Sequence, residues 1–136
     1  MVIPTPWADL NRKLAGGLHA GRSYIIAARP GLGKSIWVST FALSAARQGF
    51  CGLVYSLEMP RTELGSRFIA DGPTADYGQV VRKRLDNDNL ARVSEFLGGV
   101  DPRTPLTISD RSSMTLSKIA AEARSFKAER GRLDFI

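Results

Sequence analysis

Apolar and polar positions follow two rhythms along this chain. Residues 23–28 are β-rich and apolar on both faces, a pattern that predicts a short buried strand. Residues 52–57 read as a second buried strand, and residues 105–109 as a short third one. Between them, residues 34–48 read as a helix, with Ile36, Phe41, Leu43 and several alanines giving apolar contacts of mixed size and Gly49 as its stop. Pro60 opens another helix that carries Leu64, Phe68 and Ile69 on one side. Residues 71–77 read as a loop, followed by helical stretches near 79–84 and 88–97, the second ending at Gly98-Gly99. Thr115 is placed to cap a helix that reaches Arg130, with Leu116, Ile119, Ala123 and Phe126 on one stripe and Gly131 as its end. Leu133, Asp134, Phe135 and Ile136 begin a fourth strand, and residues 1–21 form a lead-in with a short helix around 7–14 and a turn at Gly16-Gly17. Strand alternating with helix in this order predicts an α/β domain with a mainly parallel sheet flanked by helices.

Composition narrows the picture. The chain has 136 residues, 43% of them hydrophobic and 24% charged, which suits one globular domain at most. No apolar run approaches the roughly 20 residues of a membrane span, and the first residues lack the basic and apolar regions of a secretory signal. No membrane partner is expected. Cys51 is the single cysteine, so no intrachain disulfide forms, which fits a cytoplasmic setting. Cys51 itself reads as a small residue entering a strand. The formal charge is +6, from nineteen basic and thirteen acidic residues, and suits an anionic partner. Arg82-Lys83-Arg84 is the one tight basic cluster and reads as a solvated helix face, His19 as a surface residue, and Trp7 and Trp37 as core-docking rings.

The chemistry concentrates at Ala28-Arg29-Pro30-Gly31-Leu32-Gly33-Lys34-Ser35, between a predicted strand and a predicted helix. That is the context of a phosphate-binding P-loop. Backbone N–H groups of a glycine-rich turn converge into an anion nest, and the helix N-terminus adds partial positive charge. Gly33 allows close approach of phosphates, Lys34 is placed for the β- and γ-phosphates, and Ser35 for Mg²⁺. Ala28 stands where the usual motif has its first glycine, so on pattern alone a chance strand–turn–helix is the alternative. Glu58 follows the second strand, at the edge where open α/β sheets bind ligands. It is either a carboxylate that polarises attacking water or a solvated glutamate capping the helix opened by Pro60.

These residues resemble a family. Residues 25–35, the lead-in with Thr5-Pro6-Trp7 and Gly16-Gly17-Leu18, Ser56-Leu57-Glu58-Met59, and Pro105 to Asp110 followed by Met114-Thr115-Leu116 are similar to the RecA-type ATPase domain of DnaB-like replicative DNA helicases. The Ala-Arg-Pro start of the loop is common in that family. The resemblance implies a RecA-like P-loop fold, with residues 1–22 as lead-in and 23–136 as the front of the ATPase core, incomplete at the C-terminus. It implies ATP and Mg²⁺ as ligands, with Arg29, Pro30, Gly31, Leu32, Gly33, Lys34 and Ser35 at the nucleotide, Ser35 at the metal, and Lys34 and Glu58 catalytic. In the full-length protein it implies a hexameric homo-oligomeric ring acting on single-stranded DNA, with ATP hydrolysis driving duplex unwinding.

In that family a Walker B aspartate ends the strand that Leu133 begins, and it is expected just beyond Ile136. The DNA-binding loops, the trans-acting arginine finger and the primase-contacting domain belong to other segments of the family's proteins. The 136-residue chain alone is therefore expected to bind nucleotide with little or no turnover. A RadA-like recombinase ATPase and a non-catalytic nucleotide-binding or interface module are the alternatives. For Glu58 to reach a phosphate at residues 31–35, strands 24–28 and 54–57 are expected to lie adjacent and parallel, with the fourth strand near them. The edge left open is expected to favour association.

Overall fold

The computed structural model describes residues 1–71, 74–99 and 106–136. Its elements in chain order are β1 (Val2–Ile3), α1 (Ala8–Lys13), β2 (Leu18–His19), α2 (Lys34–Arg47), β3 (Gly52–Tyr55), α3 (Arg61–Asp71), α4 (Tyr77–Arg82), α5 (Asn87–Gly98), β4 (Leu106–Ser109) and α6 (Leu116–Arg130). The helices fall close to their predicted spans, with α3 reaching Asp71 and α4 starting at Tyr77 inside the expected loop. Pro105, expected in the third strand, lies outside the described residues.

β3 is the centre of the fold because both of its sides are paired. β4 runs parallel to it, with Gly52 opposite Leu106 and Tyr55 opposite Ser109. On the other side the Leu53 N–H donates to the Phe135 carbonyl at 3.1 Å, and Gly52 and Phe135 form a parallel bridge. Cys51, Leu53 and Val54 are all buried, as expected for a strand with packing on both faces. Helices α2 and α3 cover the sheet, and Ala42, Val54, Leu64 and Phe68 form one core cluster between them. Full burial of a side chain the size of Val, Leu or Phe contributes about 1.5–3 kcal/mol. A second cluster of Ile3, Phe41 and Ala45 docks the lead-in, and Phe135 packs against both clusters.

The lead-in is more ordered than its sequence suggested. β1 and β2 pair antiparallel, Val2 to His19 and Ile3 to Leu18. His19 is therefore half-buried in a strand rather than on a surface loop, with its Nε2 2.9 Å from the Leu14 carbonyl oxygen. Trp7 stacks on Trp37 at 5.0 Å between centroids, and Trp37 on Phe41 at 5.6 Å. Both tryptophans do dock against the core.

One expected strand is absent. Residues 22–29 form no ladder and are exposed, Ile25 at 92%. The predicted adjacency of 24–28 with 54–57 is thus overturned, and the cause is occupancy. β4 and Phe135 already take the two sides of β3. The place left for residues 23–28 is the far side of Phe135. There a gap of about 300 Å³, lined in part by Tyr24, Ile26, Phe135 and Ile136, separates the segments. The fourth strand does reach the sheet, through Phe135. On α6, Thr115 caps as predicted, accepting the Lys118 N–H at 3.3 Å, and Gly131 ends the helix. Of its apolar stripe, Ile119, Ala123 and Phe126 are half-buried, while Leu116 is 85% exposed.

Candidate functional site

The N-terminus of α2 carries no side-chain cap. Its N-cap is Gly33, at φ 87°, with no acidic residue in the first turn. The first N–H groups of a helix have no partner inside the helix, and here no side chain takes their place. Gly31 is also left-handed, at φ 80°, and a Cβ added there would meet open space. The loop is closed by the Leu32 N–H donating to the Arg29 carbonyl at 3.2 Å. Two left-handed glycines ahead of an uncapped helix give the concave arrangement of N–H groups that suits phosphate.

The second wall comes from the end of β3. The Ser56 hydroxyl donates to the Met59 carbonyl at 2.8 Å and accepts the Met59 N–H at 3.3 Å, bending the chain sharply after the strand. Glu58 lies on this bend, its Oε1 3.9 Å from Lys34 Nζ. α3 follows, and its first N–H, at Arg61, donates to Asp110 Oδ2 at 2.8 Å. Asp110 sits just past β4, so the β3–β4 pairing fixes where α3 begins.

Ala28, Arg29, Pro30, Gly31, Gly33, Lys34, Ser35, Ile36, Glu58 and Arg67 line one cavity of about 430 Å³. All the predicted site residues meet there except Leu32, whose side chain points to solvent at 70% exposure. Residues 24–28 did not need to pair with β3 for this: the helix α2, docked on the sheet, carries Lys34 to Glu58. Arg67 is the residue that sequence reasoning missed. It stands on α3, beyond Glu58 in the chain, with Leu64 and Phe68 of its own helix buried beside it. Its cue is an arginine on the half-buried flank of an amphipathic helix, a weak cue without the fold.

The Lys34–Glu58 pair is open to water, its side chains 48% and 79% exposed. Such a pair contributes only about 0–1 kcal/mol, so it gives way readily to a stronger anion. Glu58 is the single carboxylate lining the cavity among the described residues. No group of three or more His, Cys, Asp or Glu placed to hold a metal occurs among them. The Ser35 hydroxyl is a hard oxygen donor of the kind Mg²⁺ takes, with most of its remaining ligands drawn from phosphate oxygens and water. The cluster Arg82-Lys83-Arg84 stays exposed at the end of α4, away from this cavity's lining. No helix among the described residues is long and apolar enough to cross a membrane.

Known proteins of similar sequence are replicative DNA helicases. The replicative DNA helicase DnaB of Leifsonia xyli subsp. xyli is 34% identical over 130 residues, covering 95% of this chain and 28% of that protein. The DnaB of Buchnera aphidicola subsp. Acyrthosiphon pisum is 30% identical over 135 residues, covering 98% of this chain and 29% of the relative. The chain thus spans less than a third of the length of these relatives. A solved structure of a DnaB-like replicative helicase, described together with its interactions with primase, superposes with a TM-score of 0.83 at 21% identity, over 95% of this chain and 31% of that one. That likeness shows a RecA-like fold. The family model for the DnaB-like helicase C-terminal domain matches residues 2–136, and the chain belongs to that family.

Proposed function

We propose that this chain is the ATP-binding part of a replicative DNA helicase motor, which in its assembled hexameric ring couples ATP hydrolysis to the unwinding of duplex DNA. The observation that carries the reading is the uncapped, glycine-led N-terminus of α2, with Lys34 as its first residue, facing Glu58 across one cavity. The nest at residues 29–35 takes the inner phosphates through backbone N–H groups. Lys34 then turns from Glu58 to the outer phosphates, where a charge-assisted hydrogen bond is stronger than the exposed ion pair it leaves. Glu58, released, accepts a hydrogen bond from the attacking water and orients it. Mg²⁺, when bound, neutralises the developing phosphate charge, and Ser35 is the chain's own donor to it. With one serine hydroxyl and one carboxylate at the cavity among the described residues, the chain by itself holds nucleotide with little or no turnover.

Titration of Mg·ATP into the wild type, Lys34→Ala and Glu58→Gln tests this. Lys34→Ala should bind at least about tenfold more weakly, as loss of a hydrogen bond to a charged group costs about 1.5–3 kcal/mol. Glu58→Gln should bind nearly as the wild type, because its carboxylate faces water rather than phosphate. Equal affinities of the wild type and Lys34→Ala would remove the phosphate-site assignment.

A further inference from the structure

Arg67 is held by two groups that sequence reasoning passed over. Its guanidinium carbon lies 5.1 Å from the centroid of the Tyr77 ring. Its Nη2 lies 3.3 Å from Glu63 Oε1, one helical turn back on α3. The side chain is only 25% exposed. Its Nε is buried and has no hydrogen-bond partner among the described residues. A buried N–H without an acceptor is costly and rare in native proteins. Yet the same side chain lines the phosphate-loop cavity. The accessible part of the guanidinium, not the sealed Nε, is what an acceptor in that cavity meets.

We infer that Tyr77 is a positioning residue: its ring and the Glu63 carboxylate clamp Arg67 so that the guanidinium reads the outermost phosphate of a nucleoside triphosphate. This rests on the phosphate-site reading of the cavity. The flat ring restricts the plane of the guanidinium, and Glu63 anchors one edge of its fork. The rest of the five-donor fork is left for the cavity. The phosphate concerned follows from the chain's layout. The nest at 29–35 is filled by the inner phosphates, whereas Arg67 enters with Glu58 from the β3–α3 side, where the third phosphate lies. A diphosphate does not reach that side. Tyr77 thereby contributes to discrimination between ATP and ADP. The ring is partly exposed and belongs to neither core cluster, so its replacement leaves the core packing in place.

The test is calorimetric titration of Mg·ATP and Mg·ADP into the full 136-residue chain as wild type, Tyr77→Leu, Tyr77→Phe and Lys34→Ala. Tyr77→Leu should weaken ATP about three- to tenfold, the range of a partly desolvated cation–π contact, and leave ADP unchanged. Tyr77→Phe should restore the wild-type ratio, since the ring and not the hydroxyl does the clamping. An ATP-to-ADP ratio in Tyr77→Leu equal to that of the wild type overturns the inference, whether both affinities hold or both fall. Should Tyr77→Leu lose its far-UV circular dichroism, Arg67→Lys carries the test, because it keeps the charge without the planar fork. An unchanged ratio there overturns the inference equally. Loss of binding in Lys34→Ala beside an unchanged Tyr77→Leu ratio removes the Tyr77 role alone. No loss in Lys34→Ala removes the site and this role with it.

Discussion

At the position opposite Phe135, only a residue without a side chain fits. A Cβ on Gly52 would run into the Phe135 ring, which crosses directly over the strand. The missing side chain lets the ring reach Phe41, edge-on at 5.4 Å, and join the two core clusters. Gly52→Ala should therefore destabilise the protein by about 1–3 kcal/mol, as overpacked core sites do. Urea unfolding checks this: a lower midpoint at unchanged slope is the expected result. Cys51, the next residue back, is buried against the same strand. Burial pushes its thiol above the ordinary cysteine value, with Arg132 pulling it down and Asp134 up to lesser degrees. Residues brought together by spacing alone were legible from sequence: Gly31, Gly33, Lys34 and Ser35 line one cavity, as expected. Arg67 was not, because its position depends on where α3 docks, which Asp110 decides from far along the chain.

Among the elements, the α4–α5 pair shows how a mostly exposed segment, with Val93 its one buried side chain among the described residues, is held by its caps. Asp76 caps α4 and Asp86 caps α5. Gln79 and Asn89 cross-link the caps: Gln79 Nε2 donates to Asp86 Oδ2 at 2.8 Å, and Asn89 Oδ1 accepts the Asp76 N–H at 3.0 Å. The Asn89 backbone N–H foremost, then the Gln79 side chain, holds the Asp86 carboxyl below the usual carboxylate range. A carboxylate lowered by folding contributes stability that is present above its unfolded value, near pH ~4, and lost as pH falls through its folded value. The helicity difference between wild type and Asp86→Ala should thus be full at neutral pH and vanish in stronger acid. Circular dichroism across an acid titration checks it, and a difference that persists below the carboxylate range would contradict it. Helices of this kind announce themselves through caps, and most predicted spans were close. The strand expected at 23–28 did not form because apolarity says that a segment seeks cover, not which neighbour supplies its hydrogen bonds. β4 and Phe135 had already taken the sides of β3.

For the molecule as a whole, one aromatic column joins distant parts of the chain: Trp7, Trp37, Phe41 and Phe135 in successive ring contacts. The chain's two tryptophans are the stacked pair at one end of it. Trp7→Leu should abolish the coupled near-ultraviolet circular dichroism of the two indoles and cost about 1–3 kcal/mol from lost ring contact and burial. An unchanged near-ultraviolet spectrum would show that the pair does not stack in solution. The column has a further consequence for the order of folding. Its members come from the lead-in, α2 and the segment at Phe135, so it closes only after residues about 130 positions apart in sequence have been brought together. Contacts of such sequence separation are assembled late and slow the search, because loop closure must precede the gain. The helix that carries Lys34 therefore acquires its final seating near the end of folding, and the glycine-led loop before it matures with it.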